Sequence, residues 1–470
     1  MARNKIKKVA NIEITGIADQ GLSVGRTSEG EVIFVEGAVP GDLVDVIIYK
    51  KKKRYKIGRV ETFLKLSPHR QDAFCSHFEE CGGCKWQHLS YEEQLRHKFV
   101  TVSDAMRRIG KIENLDIEPV LGSKDLKYYR NKLEFTFCNQ RWYTQEEIDN
   151  SGSLEREPGL GFHIAGSFSK ILDINECFLQ NDLSNDIRNW LKAFCIEHQL
   201  SFFNPISQEG FMRTVIIRNT VLGEWMVIVA VTKDDQKKIR LLMKSMVEAF
   251  PFITSLYYVV NGKRNDFLLD LDFHLFAGKA FIVEKLGSVS YKIGPKSFFQ
   301  TNSHQAKALF DTALEFADFK GDENIYDLYT GLGSIALYAS SKVKSVVGIE
   351  EVAAAIDDAK INAAFNGINN CTFYAGDVKD TLSEEFIANH PRPDVIITDP
   401  PRAGMHPDVI DTLLKLEAPK IVYVSCNPST QARDLLLLSD KYIVTRMRPV
   451  DMFPHTHHIE NVALLELKSS

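Results

Sequence analysis

At 470 residues the chain is too long for a single core, and two to four domains are expected. Its 44% hydrophobic and 25% charged residues are those of an ordinary globular protein, and a formal net charge of -5 excludes a general polycation. Nucleic-acid binding would have to come from local basic patches. The start, Met1-Ala-Arg-Asn-Lys-Ile-Lys-Lys8, lacks the apolar core of a signal peptide, and no uninterrupted apolar run approaches membrane-spanning length. A cytoplasmic protein with no membrane partner is therefore expected. Three of the 8 cysteines crowd into Cys75–Cys84, which suggests metal or cluster ligation rather than disulfides.

Up to Leu66 apolar and polar positions alternate, broken at Asp19-Gln-Gly21, Ser28-Glu-Gly30 and Val39-Pro-Gly-Asp42. This pattern predicts a small antiparallel barrel. Its last strands carry Lys50-Lys-Lys-Lys-Arg-Tyr-Lys56, either a solvated hairpin tip or a surface that tracks phosphates. In Cys75-Ser-His-Phe-Glu-Glu-Cys81-Gly-Gly-Cys84 the two glycines let the backbone fold tightly enough for three thiolates to converge. Zinc and iron–sulfur centres both use four cysteines. Cys138, Cys177 and Cys195 are candidates for the fourth; Cys138 lies in a strand-like run, Cys195 in a helical one, and Cys177 in a loop.

Tyr91 to Ile109 reads as an amphipathic helix with Leu95, Phe99, Val102 and Met106 on its apolar face. Its lysines and arginines belong on a solvated face or against phosphate. Between Tyr128 and Leu275, alternating stretches mix with helical ones at Leu183–His198 and Asp234–Ala249, which predicts an α+β middle domain. Tyr128-Tyr-Arg-Asn-Lys-Leu133 mixes aromatic and basic residues, a weak nucleic-acid signal.

From Ile282 the pattern becomes strand–helix alternation and predicts a parallel, doubly wound sheet. Asn324–Tyr329 is its first strand, followed by a Thr330-Gly-Leu-Gly-Ser334 turn. Val343–Ile349 is the second, ending at Glu350, and Cys371–Tyr374 the third, followed by Asp377. Asp394–Thr398 leads to Asp399-Pro-Pro-Arg-Ala-Gly404, and Ile421–Ser425 leads to Cys426-Asn-Pro428. A closing hairpin of Tyr442–Pro449 and Asn461–Leu467 carries Glu460 at its start. The Gly331-Leu-Gly333 turn with an acidic second-strand end serves nicotinamide dinucleotides and S-adenosylmethionine alike. Asp377 leans toward S-adenosylmethionine. Carboxylates and a thiol at successive strand ends make an active-site layout, although a buried cysteine is by itself usually a small hydrophobe.

These motifs, together with Phe298-Phe-Gln-Thr-Asn302 and Phe453-Pro-His-Thr…Glu460, resemble those of the RNA uracil-5-methyltransferase family, closest to its 23S ribosomal RNA enzymes. The resemblance spans essentially the whole chain. It implies a TRAM-like, OB-like barrel over 1–66 and a central α+β iron–sulfur domain over 67–280, with helix 91–109 packed on the catalytic domain. A doubly wound, Rossmann-like S-adenosylmethionine methyltransferase domain would follow over 281–470. Cys75, Cys81, Cys84 and Cys177 would hold a 4Fe–4S cluster. Gln300, Tyr329, Glu350 and Asp399 would line the cofactor site, with Asp377 near it. Cys426 would be the nucleophile and Glu460 the base. The partner would be 23S rRNA, with a flipped or loop uridine, acted on by a monomer. The family often has Cys at Thr330 and Asn at Ser334, positions the chemistry does not need.

Bland alternatives exist for single residues: Glu460 as a surface carboxylate, Asp399 as a turn cap, and His455, His457 and His458 as a zinc site or as loop-shaping groups. DNA cytosine-5 methylation uses the same thiolate logic but with proline before the cysteine, whereas here Pro428 follows it. A transfer-RNA enzyme and a non-catalytic RNA-binding assembly factor are the other rivals.

Overall fold

The computed structural model describes residues 7–18, 21–113, 115–150, 157–164 and 167–469. Most of the basic start and the Asp19-Gln20 part of the first expected turn lie outside them. Strands β1 (Lys7–Ile17), β2 (Ser23–Arg26), β3 (Val32–Glu36), β4 (Leu43–Lys51) and β5 (Tyr55–Lys65) close into a barrel ordered β1-β2-β3-β5-β4. Ile12, Ile14, Ile33, Val35, Val44 and Val46 fill it, as the alternation requires. The barrel is not wholly antiparallel, because β3 and β5 pair in parallel. Strand β4 leaves β3 to pair with β1, so β5 returns between them and closes the open edge.

After the cysteine segment comes α1 (Tyr91–Arg108), then β6 (Lys132–Cys138), α2 (Gln145–Asn150), β7 (Gly159–His163), β8 (Ile171–Asp173) and α3 (Leu183–Glu197). Next are β9 (Met212–Asn219), β10 (Trp225–Val231), α4 (Gln236–Ala249), β11 (Ile253–Val260) and β12 (Phe273–Gly278). Their seven strands form one sheet, β12-β11-β10-β9-β6-β7-β8, parallel only between β10 and β11. Its central strands β9 and β10 are buried along nearly their whole length, because α3 and α4 cover one face and the carboxyl-terminal half covers the other.

The segment from Ile282 opens with a separate hairpin, β13 (Ile282–Leu286) and β14 (Val289–Ile293), rather than with the parallel sheet. Helix α5 (Ser303–Ala317) leads into β15 (Asn324–Leu328), α6 (Ser334–Ala339), β16 (Ser345–Glu350), α7 (Ala353–Phe365) and β17 (Cys371–Ala375). Then come α8 (Val378–Thr381), α9 (Glu384–Ala388), β18 (Val395–Thr398), α10 (Pro407–Leu416), β19 (Lys420–Ser425), α11 (Pro428–Leu438), β20 (Tyr442–Val450) and β21 (Glu460–Leu467). The sheet order is β17-β16-β15-β18-β19-β21-β20, with β15 to β19 parallel and β21 antiparallel to both its neighbours. The order reverses at β15, and ligands of open α/β sheets bind beyond the strand ends at such a point.

Helix α1 packs on this sheet's outer layer through Val102, Ala105 and Met106. Leu95 and Phe99, expected on its apolar face, are only half-buried, while Gln94, His97 and Lys98 are buried. Lys98 is thus an exception to the solvated face expected for this helix's cations. No helix among the described residues is long and apolar enough to cross a membrane.

Candidate active site

The run Ser425-Cys-Asn-Pro428 makes a strand–turn–helix junction. β19 ends at Ser425, whose hydroxyl oxygen accepts the Asn427 N–H at 3.1 Å. Asn427 caps α11 by accepting the Ser429 N–H at 3.1 Å, and Pro428 takes the first helical position, where its missing N–H costs nothing. Cys426 is left at the turn, half-buried at the carboxyl end of its strand. The neighbouring Asp399–Gly404 loop is tied to this turn. The Arg402 carbonyl accepts from Asn427 Nδ2 at 3.0 Å and from Thr430 Oγ1 at 3.1 Å. Gly404 sits at φ 80, and a Cβ there would come within 2.5 Å of both Arg433 Nη2 and Asp434 Oδ2. Asp434 in turn accepts the Met405 N–H at 2.9 Å and the Tyr423 hydroxyl at 2.7 Å, which anchors the loop to α11 and β19.

Register brings the other carboxylate to the same place. Ser425 faces Asn461 across the antiparallel β19–β21 pair, so Cys426 and Glu460 occupy the next step of that ladder. Glu460 is buried. Burial first, and then the charge of Asp399, push its carboxyl from 4.5 up to about 8, while Arg402 pulls it back. Burial pushes the Cys426 thiol up to about 11; Glu460 and Asp399 act in the same direction, and Arg402, hydrogen-bonded to the sulfur, opposes them. Asp399 is pushed up to about 7 by burial and by Asp327. Cys426, Asp399 and Glu460 therefore share one electrostatic environment, with Arg402 as its cation. Arg402 lies inside the Asp399–Gly404 motif, where nothing in the sequence alone sets it apart.

The side expected to hold the cofactor is built on β15 and β16. Glu350 accepts the Gly331 N–H at 3.1 Å and the Val352 N–H at 2.9 Å, which fixes it across the glycine turn. Tyr329 takes up φ 65, rare for a residue with a side chain, and its phenol is pushed up to about 12 by burial, with Asp377, Asp434 and Glu350 adding to the effect. Asp377 caps α8 and pairs with Lys379, which holds its carboxyl low. Gln300 lies two residues before the Asn302 cap of α5, and its carbonyl accepts Asn131 Nδ2 at 2.9 Å. Asp327 was not singled out in sequence, although a charge inside an apolar strand is a signal. It is buried beneath the turn, accepts from Thr330 Oγ1 at 2.5 Å and Ala336 N at 3.0 Å, and is pushed up to about 7. Thr330 therefore has a definite task.

Cys75, Cys81, Cys84 and Cys177 line one cavity of about 190 Å³, with Phe78, Leu133, Phe162, Ile174 and Leu179 among its other walls. Burial pushes Cys81 up to about 11 and Cys84 up to about 12, and the neighbouring sulfurs push the same way. Gly83 N donates to Cys81 Sγ at 3.5 Å, Gln87 hydrogen-bonds Cys84, and backbone N–H groups reach Cys75 and Cys177. Cys138 and Cys195 are buried elsewhere, in β6 and α3. Among the described residues no three His, Cys, Asp or Glu side chains are grouped closely enough to hold a single metal ion. His455 Nε2 meets the Leu126 carbonyl at 3.0 Å and Nδ1 meets Gln94 Nε2 at 3.2 Å. Burial pulls this ring down to about 4, so it is neutral and shapes the loop.

Comparison with known proteins decides the family. Residues 274–468 match the family described as tRNA (Uracil-5-)-methyltransferase, and residues 3–60 match the TRAM domain. An uncharacterized RNA methyltransferase of Bacteroides thetaiotaomicron is 52% identical over 455 residues, covering 96% of this chain and 100% of the relative. The chain belongs to the RNA uracil-5-methyltransferase family. A Chlorobaculum tepidum relative, likewise an uncharacterized RNA methyltransferase, is 38% identical over 97% of this chain and 96% of its own. Among solved structures, the Pyrococcus abyssi tRNA (uracil-54, C5)-methyltransferase in complex with S-adenosyl-L-homocysteine matches with a TM-score of 0.74. It is 30% identical and is covered over 99% of its length, against 96% of this chain. The carboxyl-terminal half of this family member thus has the S-adenosylmethionine-dependent methyltransferase fold, and its amino-terminal barrel is a TRAM domain.

Proposed function

We propose that this protein methylates carbon 5 of a uracil in folded RNA, with Cys426 as nucleophile and Glu460 as base. The observation that carries the reading is the β19–β21 register, which sets thiol and carboxylate opposite each other at the next step of the ladder, beside Asp399 and Arg402. Uracil C5 is too weakly nucleophilic to take a methyl group unaided. Addition of the Cys426 thiolate to C6 turns the ring into an enolate. Arg402, the cation nearest the sulfur, offsets the charge that ionising the thiol creates. Bound S-adenosylmethionine supplies a methyl group on a cationic sulfur. Glu350, with Tyr329, Gln300, Asp377 and Asp399, would hold the cofactor at the strand ends. After C5 is methylated, Glu460 takes its proton, the C6–S bond breaks, and the sulfur leaves as thiolate. Once ionised, a carboxylate whose pKa burial and Asp399 raise to about 8 is basic enough to receive that proton. The uracil must leave its stack to reach both groups.

The four-cysteine cavity fits a polyatomic cluster better than one ion, since its sulfurs line a space of about 190 Å³ and carry amide donors that favour thiolate. Cys75, Cys81, Cys84 and Cys177 would ligate a 4Fe–4S cluster there. The proposed methyl transfer moves no net electrons, so the cluster's role would be structural.

23S rRNA is our first substrate. The tRNA T-loop is the second reading, favoured by the Pyrococcus abyssi neighbour, whose match extends through nearly its whole length. Labelled S-adenosylmethionine with undermodified 23S rRNA or tRNA, followed by mass spectrometry of nucleosides, tests both. C5-methyluridine in one RNA, lost in Cys426→Ala, is expected. Labelling of neither RNA by a cofactor-binding protein would favour a binding factor.

A further inference from the structure

We propose that the buried Lys98–Asp451 pair is a pin through which helix α1 positions Glu460, making Lys98 a positioning residue for the proton-abstraction step. The inference rests on the reading of Glu460 as the base.

Residues 451–459 connect β20 to β21, and Val450 faces Glu460 at the base of that connection. Both ends of the loop are therefore fixed beside the carboxylate. Five successive carbonyls at its start accept hydrogen bonds from outside the loop. Asp451 O accepts Gln305 Nε2 at 2.8 Å, and Met452 O accepts Asn302 Nδ2 at 2.9 Å. Phe453 O accepts Lys98 Nζ at 3.1 Å, and Pro454 O accepts the Tyr129 hydroxyl at 2.9 Å. His455 O accepts the backbone N–H of Lys85 at 2.8 Å and of Trp86 at 3.0 Å. His455 N donates to Gln94 Oε1 at 2.8 Å. The last three of these carbonyls thus depend on residues far from the catalytic sheet in sequence.

The pin sits at the centre of this lattice. Lys98 Nζ lies 2.5 Å from Asp451 Oδ1, and both side chains are fully buried. The same carboxylate accepts the Tyr91 hydroxyl at 2.9 Å and the Phe453 N–H at 3.0 Å. An apolar pair of similar volume would fill this space at lower desolvation cost, so packing does not account for the ions. What the ions add is direction: Lys98 holds one carboxylate oxygen and the Phe453 carbonyl at once. That fixes the loop's path up to His455, held at φ 64. The Cys426 turn is held separately, by Ser425, Asn427 and the Arg402 carbonyl. Loosening the pin should therefore misplace the base and leave the nucleophile in place.

That separation gives a signature. In Lys98→Met the sulfur still adds to C6 and C5 still receives its methyl group, but the C5 proton is not removed and the C6–S bond does not break. With full-length protein and the RNA labelled by wild type, turnover should fall roughly 10- to 100-fold while the covalent protein–RNA adduct, read on a denaturing gel, accumulates. Asp451→Asn, which keeps the Tyr91 contact, should behave alike and serves if Lys98→Met does not fold. Glu460→Gln is the reference. If it traps the adduct and the folded pin variants do not, the pin is refuted and the base stands. If it traps none, both fall. Parallel losses of adduct formation and turnover, or unchanged turnover, also overturn the proposal.

Discussion

Replacing Glu460 by glutamine should stabilise the cofactor-free protein, by an amount that grows as pH rises from about 4.5 and is complete above about 8. Burial and Asp399 raise this carboxyl from 4.5 to about 8, so the folded protein holds a proton that the unfolded chain releases. The neutral form's advantage is fully present below about pH 4.5 and is lost as pH rises through about 8. A gap of that size corresponds to roughly 5 kcal/mol. Relaxation and water entry around the buried carboxylate offset part of that cost, so a net gain of ~3 kcal/mol at pH 9 is the better expectation. For a domain of this size that is roughly 6–12 °C in the transition of the carboxyl-terminal half. Thermal melts of wild type and Glu460→Gln from pH 5 to pH 9 would read it directly, and the two curves should converge at the acid end. Parallel curves across that range would refute the argument, because they would mean that the carboxyl does not titrate there.

Alkylation of Cys426 by iodoacetamide should be slow at pH 7 and rise toward pH 11, since burial and two carboxylates hold it as a thiol; mass mapping of the modified peptide against time checks this, and fast labelling at pH 7 would contradict it. Gly404→Ala should cost at least ~2 kcal/mol and lower methyl transfer, because a Cβ meets Arg433 and Asp434 at 2.5 Å and φ 80 is already unfavourable to it; chemical denaturation with an activity assay measures both. Cys84→Ser should lower bound iron and acid-labile sulfide and broaden the melt of the amino-terminal half, with no change in cofactor affinity; metal analysis after anaerobic purification decides it.

Much of the site was legible because its residues sit where strand patterns end. The apolar runs before Asp399 and Cys426 are short, β-branched and stopped by proline, and the closing hairpin placed Glu460 at a strand start. Those runs were found within a residue or two of β18, β19 and β21. What was not legible depends on partners remote in sequence. Lys98 looks solvated on a helical wheel, since only the fold supplies Asp451, from the loop after β20, as its counter-ion. The separate β13–β14 hairpin reads like the start of the parallel sheet, because a lone strand carries no sign of its partner's direction. The parallel β3–β5 pair was missed for the same reason. Cys177 could be narrowed to a loop but not selected, as its approach to Cys75, Cys81 and Cys84 is a property of how β8 is placed.

The electrostatics of the site also bear on the order of events. Asp327, Asp399 and Glu460 are successive links of one chain of like charges, each raising the next, and the Cys426 thiol lies at its end. Arg402 alone opposes them at the Cys426 end. Near neutral pH such a group is not fully ionised without a further positive charge nearby, for each ionisation makes the next more costly. Without such a charge the Cys426 thiol, pushed up to about 11, stays protonated at neutral pH. A ligand with a cationic sulfur beside Asp399 would lower every member of the chain together, whereas the neutral thioether left after methyl transfer would not. On the proposed reading, nucleophile and base would become competent only when a methyl group is present to be transferred, and an RNA base would be spared futile addition by the thiol.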